Sequence, residues 1–164
     1  VLDQITKALI RSQMDYRELI PIFGDLFRFH YVHNSGAAFG LFNGSGSRYY
    51  FIAISLISVA VILYLILSGR YIFKGSRIAF GLVLGGALGN LVDRIWISEV
   101  VDFIDMGIGH HRWPTYNIAD IGVTLGVLYL AAVFITTEVE STKDEPASAD
   151  ALDDPALGPE RNNE

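Results

Sequence analysis

The sequence contains no cysteine among its 164 residues. Disulfides, thiolate nucleophiles and cysteine-ligated metals are therefore excluded, although that absence does not fix the compartment. Charge is scarce too: 18% of residues are Asp, Glu, Lys or Arg, against roughly 25% in an ordinary soluble domain. Several site patterns are missing. There is no Gly-x-Ser-x-Gly turn for a serine nucleophile, no His-Glu-x-x-His helix for zinc, no phosphate-cradling glycine loop ending in Lys, and no basic stripe for nucleic acid. No cleavable signal peptide is visible, and the chain opens in mid-pattern at Val1, so an apolar segment is expected to precede it.

The charge that is present lies unevenly. Residues 138–164 hold nine acids against two bases, a net of −7, so residues 1–137 sum to +1 within the chain's −6. The tail is rich in Ala, Asp, Glu and Pro and has no aromatic residue, so it cannot bury enough apolar surface to offset the entropy of ordering it. We expect an integral membrane domain over 1–137 and a disordered acidic tail over 138–164.

Long apolar runs dominate the rest. Tyr49 to Ser68 is 20 residues without a charge, the length of helix that crosses a hydrocarbon core. A second span starts at Ile78 and meets Asp93 and Arg94 near its far end, and a third runs from Ile121 to Thr137. Residues 1–10 read as the exit end of a further, truncated span, so the expected fold is a membrane α-helical bundle of four spans. Between the first two complete spans lie Arg70, Lys74 and Arg77 with no acid. Short basic loops stay in the cytoplasm, and alternation then brings Asp93, Arg94, Asp102 and Asp120 to the outer face and the tail inside. Residues 11–48 fall outside as well. There Phe27, Phe29 and Tyr31 alternate with Arg28, His30 and Val32, a period of two that predicts a strand. A small strand-containing element on the outer face of the membrane is the expectation.

An ionisable residue within or at the edge of a span is a functional candidate by default, because a charge at the centre of a span costs roughly 2.5–3.5 kcal/mol. Asp102 and Asp120 border two apolar segments on one face. Two carboxylates sharing a site hold one proton between them, so one can activate water while the other acts as an acid. The plainer reading makes Asp120 a helix N-cap beside Asn117 and Asp102 an interfacial charge. Asp93 and Arg94, adjacent on a helix, do not face each other and each needs its own partner. Asn34, Asn90 and Asn117 are amides at span edges that can orient a carboxylate or cap a turn. Gly85 and Gly89 have the small-xxx-small spacing of close helix packing. His110 and His111 lack further ligands nearby and read as a solvated loop. On the residues alone three readings stay open: a membrane aspartic peptidase, a proton-coupled carrier, and a scaffold whose polar residues only cap helices. A carrier would place charge near the bilayer middle and usually show a repeat, and neither is seen.

Five segments carry a resemblance: "DQITK" from Asp3, "NSGAAFG" from Asn34, "GGALGNLVDR" from Gly85, "VVDF" from Val100 and "WPTYNIAD" from Trp113. In this order and spacing, over Val1 to about Thr137, the chain resembles lipoprotein signal peptidase, the bacterial signal peptidase II. The resemblance implies an inner-membrane aspartic endopeptidase with both termini cytoplasmic, acting alone as a monomer. It would cut lipid-modified prolipoproteins just before a cysteine carrying diacylglycerol, with membrane lipid around it, no nucleic acid partner, no metal and no cofactor. By the same resemblance Asp102 and Asp120 match the catalytic pair. Asp3, Lys7, Asn34, Gly36, Asn90, Asp93, Arg94 and Asn117 match its supporting and substrate-binding residues. Trp113 and Tyr116 stand where Phe is frequent in the family, and the acidic tail lies outside its pattern.

Overall fold

A computed structural model describes residues 1–36, 47–69 and 75–143, with the side chains of 47–48 and 136–143 outside that description. The "AAFG" half of the Asn34 segment, Arg70 and Lys74 of the basic loop, and the tail from 144 onward also lie outside it.

The chain runs α1 (Leu2–Gln13), β1 (Leu19–Phe23), β2 (Phe27–Asn34), α2 (Ser47–Ser68), α3 (Ser76–Trp96), β3 (Val100–Ile108), β4 (His111–Arg112) and α4 (Ile118–Lys143). Three of the helices are long and apolar enough to cross a membrane, over Tyr49–Ser68, Ser76–Trp96 and Ile118–Ile135. α2 keeps Ile54, Leu56, Ile57 and Tyr64 exposed, as a helix does whose surroundings are lipid. Compactness separates Val1–Leu130 from Ala131–Glu164. The described part of the second unit is helix to Lys143, past the 137 boundary expected from composition.

α1 is 12 residues long and buries Asp3, Lys7 and Ile10, spaced as one helical face. α3 and α4 approach closely. A Cβ on Gly86 would come within 2.7 Å of Val123, and one on Gly89 within 2.7 Å of Asp3 Oδ2 and 3.2 Å of the Ala119 Cβ. Gly85 faces open space, so the contact pair is Gly86 and Gly89 rather than the expected Gly85 and Gly89.

The strands form one antiparallel sheet in the order β1-β2-β3-β4. Its register contains the feature that matters most for the site. Phe29 pairs with Ile104, but Val32 pairs with Asp102, so two residues of β2, His30 and Tyr31, lie opposite one of β3, Phe103. This is a β-bulge. Because side chains alternate faces, one extra residue turns everything beyond it over. Asn34 consequently shares the face of Asp102, and without the bulge it would point the other way. The period-two pattern read from the sequence is therefore interrupted between Phe29 and Val32.

The core under the sheet joins Ile10 of α1 and Met14 just after it to Tyr31, Val101, Phe103 and Ile104. The far half of the sheet is tied by ions. Asp105 accepts from Nε of Arg28 at 2.8 Å and from Nε of Arg112 at 2.9 Å, and both guanidiniums also reach Asp25. Burial pushes the Asp105 carboxyl up, but the two guanidiniums outweigh it and hold the group below its ordinary value.

Candidate active site

Asp102 lies in the middle of β3, 2% exposed. Asn34 Nδ2 donates to its Oδ2 at 2.8 Å and Asn117 Nδ2 to its Oδ1 at 2.7 Å. Burial is the largest influence on this carboxyl and raises it; the Asn34 bond pulls down, the Asp120 charge pushes up, and Asn117 and Lys7 pull down. The outcome is a pKa raised from 3.8 to about 6.

Asp120 stands on the first turn of α4. Asn117 Oδ1 accepts from the Asp120 N–H at 3.1 Å, while Asp120 Oδ2 accepts from the Asn117 N–H at 3.1 Å. This reciprocal pair is a capping box. The N-cap reading and the site reading of these residues are thus compatible, because Asp120 Oδ1 is still free of the cap and accepts from Asn90 Nδ2 at 2.8 Å. Asn117 is fully buried and touches both acids, so it bridges β3 and α4.

Behind the acids lies a buried ionic cluster. Lys7 Nζ sits 2.9 Å from Asp3 Oδ2, 2.9 Å from Asp93 Oδ2 and 3.0 Å from Asn90 Oδ1, and the residue is 0% exposed. A buried ammonium is tolerated only when its donors are satisfied, and all three are. Asp3 Oδ1 also accepts from the Ala119 N–H at 2.9 Å, and Asp93 Oδ2 from the Val101 N–H at 3.1 Å. One cluster therefore ties α1 and α3 to the start of α4 and to β3, the two elements that carry Asp120 and Asp102.

Arg94 faces away from Asp93, as adjacent positions must. Its Nη1 is 3.4 Å from Ser55 Oγ and its guanidinium 5.9 Å from the Phe51 ring centre, within electrostatic reach of Asp120, Asp102 and Asp93. Gly36 has φ +83° and its N–H donates to Asn34 Oδ1 at 2.8 Å. A Cβ there would meet the Phe51 ring at 2.7 Å, so only glycine suits the turn.

Every expected site residue thus belongs to one connected region. Gln4 was not anticipated: its Nε2 donates to Asp93 Oδ1 at 3.0 Å and to the Gly89 carbonyl at 3.0 Å. It lay within the "DQITK" segment, but no spacing rule marks a glutamine whose partners are 85 and 89 residues away. His111 pairs with Ile108 at the β3–β4 turn and both it and His110 are outside the site. His33, on the far side of the bulge from Phe29, instead joins Tyr31 Oη and Glu99 Oε2, each at 3.0 Å. Among the described residues no group of three or more His, Cys, Asp or Glu is spaced to hold a metal.

A cavity of about 460 Å³ opens on Asp120 and runs along α4. Apart from that carboxylate and Thr124 its walls are Met106, Trp113, Tyr116, Ile121 and Leu125. An apolar channel ending at a paired carboxylate suits a substrate that is itself largely apolar.

Known proteins share this chain's sequence and shape. The family model for signal peptidase (SPase) II matches residues 1–136. The lipoprotein signal peptidase of Syntrophus aciditrophicus is 38% identical over 145 residues, 87% of this chain and 90% of the relative. That of Shouchella clausii is 44% identical over 138 residues, 82% and 86% respectively. A bacterial membrane enzyme solved by the in meso method at 2.3 Å resolution superposes with a TM-score of 0.72 at 29% identity, covering 88% of this chain and 87% of that one. A second, at 1.9 Å, gives 0.69 at 31% identity over 82% and 84%. With a family model spanning most of the chain and relatives matched along nearly their whole length, the chain belongs to the signal peptidase II family of membrane proteases, the lipoprotein signal peptidases.

Proposed function

We propose that the protein is an aspartic endopeptidase that removes the signal peptide from diacylglyceryl-modified prolipoproteins, cutting just before the lipidated cysteine. The observation that carries this reading is the pairing of Asp102 and Asp120 through one buried residue, Asn117, whose side-chain NH2 donates to Asp102 and whose backbone N–H donates to Asp120, at the mouth of an apolar channel.

The pair divides the labour by environment. Asp102 is buried and its carboxyl is raised to about 6, so of the two it is assigned the role of acid. Asp120 lines the cavity, where water and a scissile amide can reach it, and it serves as the base. Asp120 takes a proton from water, and the water oxygen bonds to the scissile carbonyl carbon as Asp102 gives its proton to the carbonyl oxygen. In the collapse that oxygen returns its proton to Asp102, the carbon–nitrogen bond breaks, and Asp120 passes the water proton to the leaving nitrogen. Both acids end as they began, and one water has been divided between a carboxyl terminus and a free amine. The acyl chains of the substrate supply affinity at about 0.8 kcal/mol per buried methylene, which allows little peptide sequence to be read.

In this reading α1 is the outer end of a further span, making a four-span bundle, and the sheet lies on the periplasmic face of the inner membrane. The basic residues Arg70, Lys74 and Arg77 face the cytoplasm. The protein works as a monomer, in contact with membrane lipid and prolipoprotein, without metal or cofactor.

The test is to present purified protein in detergent with a prolipoprotein carrying diacylglycerol and with the same chain unmodified, and to identify products by mass spectrometry. A single new amino terminus at the lipidated cysteine, from the modified chain only, supports the reading. Equal cleavage of both chains, or none of either, refutes it.

A further inference from the structure

The three amides around the acids differ in what holds them. An amide donates at one end and accepts at the other, and the end facing a carboxylate is set by what grips the opposite end. Asn34 is gripped by the backbone, since its Oδ1 accepts from the Gly36 N–H at 2.8 Å. Asn117 is gripped likewise, its Oδ1 accepting from the Asp120 N–H at 3.1 Å. Each is left with its Nδ2 toward Asp102.

Among the described residues no backbone N–H grips the oxygen of Asn90 in this way. That oxygen faces the Lys7 ammonium at 3.0 Å and Asn117 Nδ2 at 3.2 Å, and its Nδ2 then donates to Asp120 at 2.8 Å. The Asn117 group is a weak holder, because the same Nδ2 lies closer to Asp102, at 2.7 Å, and also points to the Val101 carbonyl at 3.3 Å. Turning Asn90 over would set an NH2 against an ammonium and a carbonyl against a carboxylate. The charge on Lys7 forbids that.

We propose that Lys7 is a positioning residue for the reaction: from α1 it fixes the polarity of the Asn90 amide, so that Asn90 donates to Asp120 throughout the cycle. The inference rests on the two-aspartate reading above. Neutralising Asp3 and Asp93 would occupy only two of the three ammonium donors, and the third is spent on Asn90. With the ammonium gone, Asn90 is able to offer its carbonyl to Asp120. A carbonyl there accepts a hydrogen bond from a protonated Asp120 where the NH2 donates one to the carboxylate, and a protonated Asp120 cannot take a proton from water. The damage falls on the chemical step and leaves the apolar channel intact.

The experiment is a double-mutant cycle on kcat with a purified diacylglyceryl-modified prolipoprotein, using Lys7→Met, Asn90→Ala and the pair. Lys7→Met is expected to lower kcat roughly ten- to hundred-fold, the worth of a hydrogen bond to a charged group, with KM nearly unchanged. In the Asn90→Ala background the same change should alter kcat by less than about twofold, because the residue through which Lys7 acts is gone. Independent, multiplying losses would show that Lys7 only balances charge and would overturn the proposal.

Lys7→Met leaves two buried carboxylates uncompensated and invites unfolding. The companion Lys7→Met with Asp93→Asn removes one charge of each sign and keeps the cluster's net charge at the parental −1. Thermal melting confirms that it folds, and a folded companion with parental kcat also overturns the proposal. The parent and Asp102→Asn run alongside. An inert parent, or an active Asp102→Asn, overturns the two-aspartate reading and this inference together. Multiplying losses beside a dead Asp102→Asn overturn this inference alone.

Discussion

Replacing Asp102 by Asn removes a carboxyl that is 2% exposed and whose pKa is raised from 3.8 to about 6, chiefly by burial. A carboxyl raised on folding destabilises the folded state wherever it must ionise. Below pH 3.8 it is protonated folded and unfolded alike, and it contributes nothing. Between 3.8 and about 6 the folded state binds more protons than the unfolded one, so stability falls as pH rises. Above about 6 the penalty is complete. Two units and a little more, at 1.36 kcal/mol each, make it about 3 kcal/mol. Asparagine never ionises, but it offers one acceptor where the carboxylate offers two, so one amide donor, from Asn34 or Asn117, faces an NH2. That mismatch costs about 1–2 kcal/mol at every pH. The variant should therefore melt below the parent at pH 4 and above it at pH 8, with the curves crossing in between. Contributions from carboxyls that do not interact with Asp102 cancel in the difference. Thermal melts in detergent across that range read it directly, and a variant whose melting temperature runs parallel to the parent's at all pH values refutes the reasoning. Gained stability with lost cleavage is what a strained functional group predicts.

Other perturbations test separate parts of the account. Gly36→Ala puts a Cβ 2.7 Å from the Phe51 ring at a φ of +83°; it should cost about 1–3 kcal/mol and reduce cleavage by freeing Asn34, as melting and kcat will show. Asp105→Asn loosens the clamp of Arg28 and Arg112. Because that carboxyl is held below its ordinary value, its contribution is present above about pH 4 and lost as pH falls through the folded pKa, so the gap between variant and parent should close on acidification. Leu125→Trp fills the channel beside α4 and should raise KM for a diacylglyceryl substrate several-fold while kcat changes less; an unchanged KM would remove the acyl chains from that channel.

The spans were legible because an uncharged run such as Tyr49–Ser68 has no alternative explanation, and β2 because Phe27, Phe29 and Tyr31 alternate. The neighbourhood of Asp102 and Asp120 followed from loop charge and alternation. The bulge between Phe29 and Val32 had no signal, since an inserted residue in a strand of aromatic and polar residues leaves the local pattern readable in either register. For this reason Asn34 could be marked as an amide able to orient a carboxylate, but not as the partner of Asp102. The cap reading and the site reading of Asp120 stood against each other, and the geometry accommodates both, since one carboxylate oxygen closes the cap while the other faces Asn90. The roles of Lys7 and Gln4 depend on α1 meeting α3 more than 80 residues on, a contact that no local rule describes. Gly86, not Gly85, faces α4 because packing is decided by a helix's rotation, which small-residue spacing leaves open.

The central claim is that Asp102 and Asp120 act as one catalytic pair. It is tested most directly by cleavage of a diacylglyceryl-modified prolipoprotein by the parent, Asp102→Asn and Asp120→Asn, each shown by melting to be folded. The account predicts that the parent cuts and that either substitution alone abolishes cleavage, with no partial activity shared between them. A folded single variant that cuts at near-parental rate would make its aspartate structural and contradict the two-carboxylate mechanism.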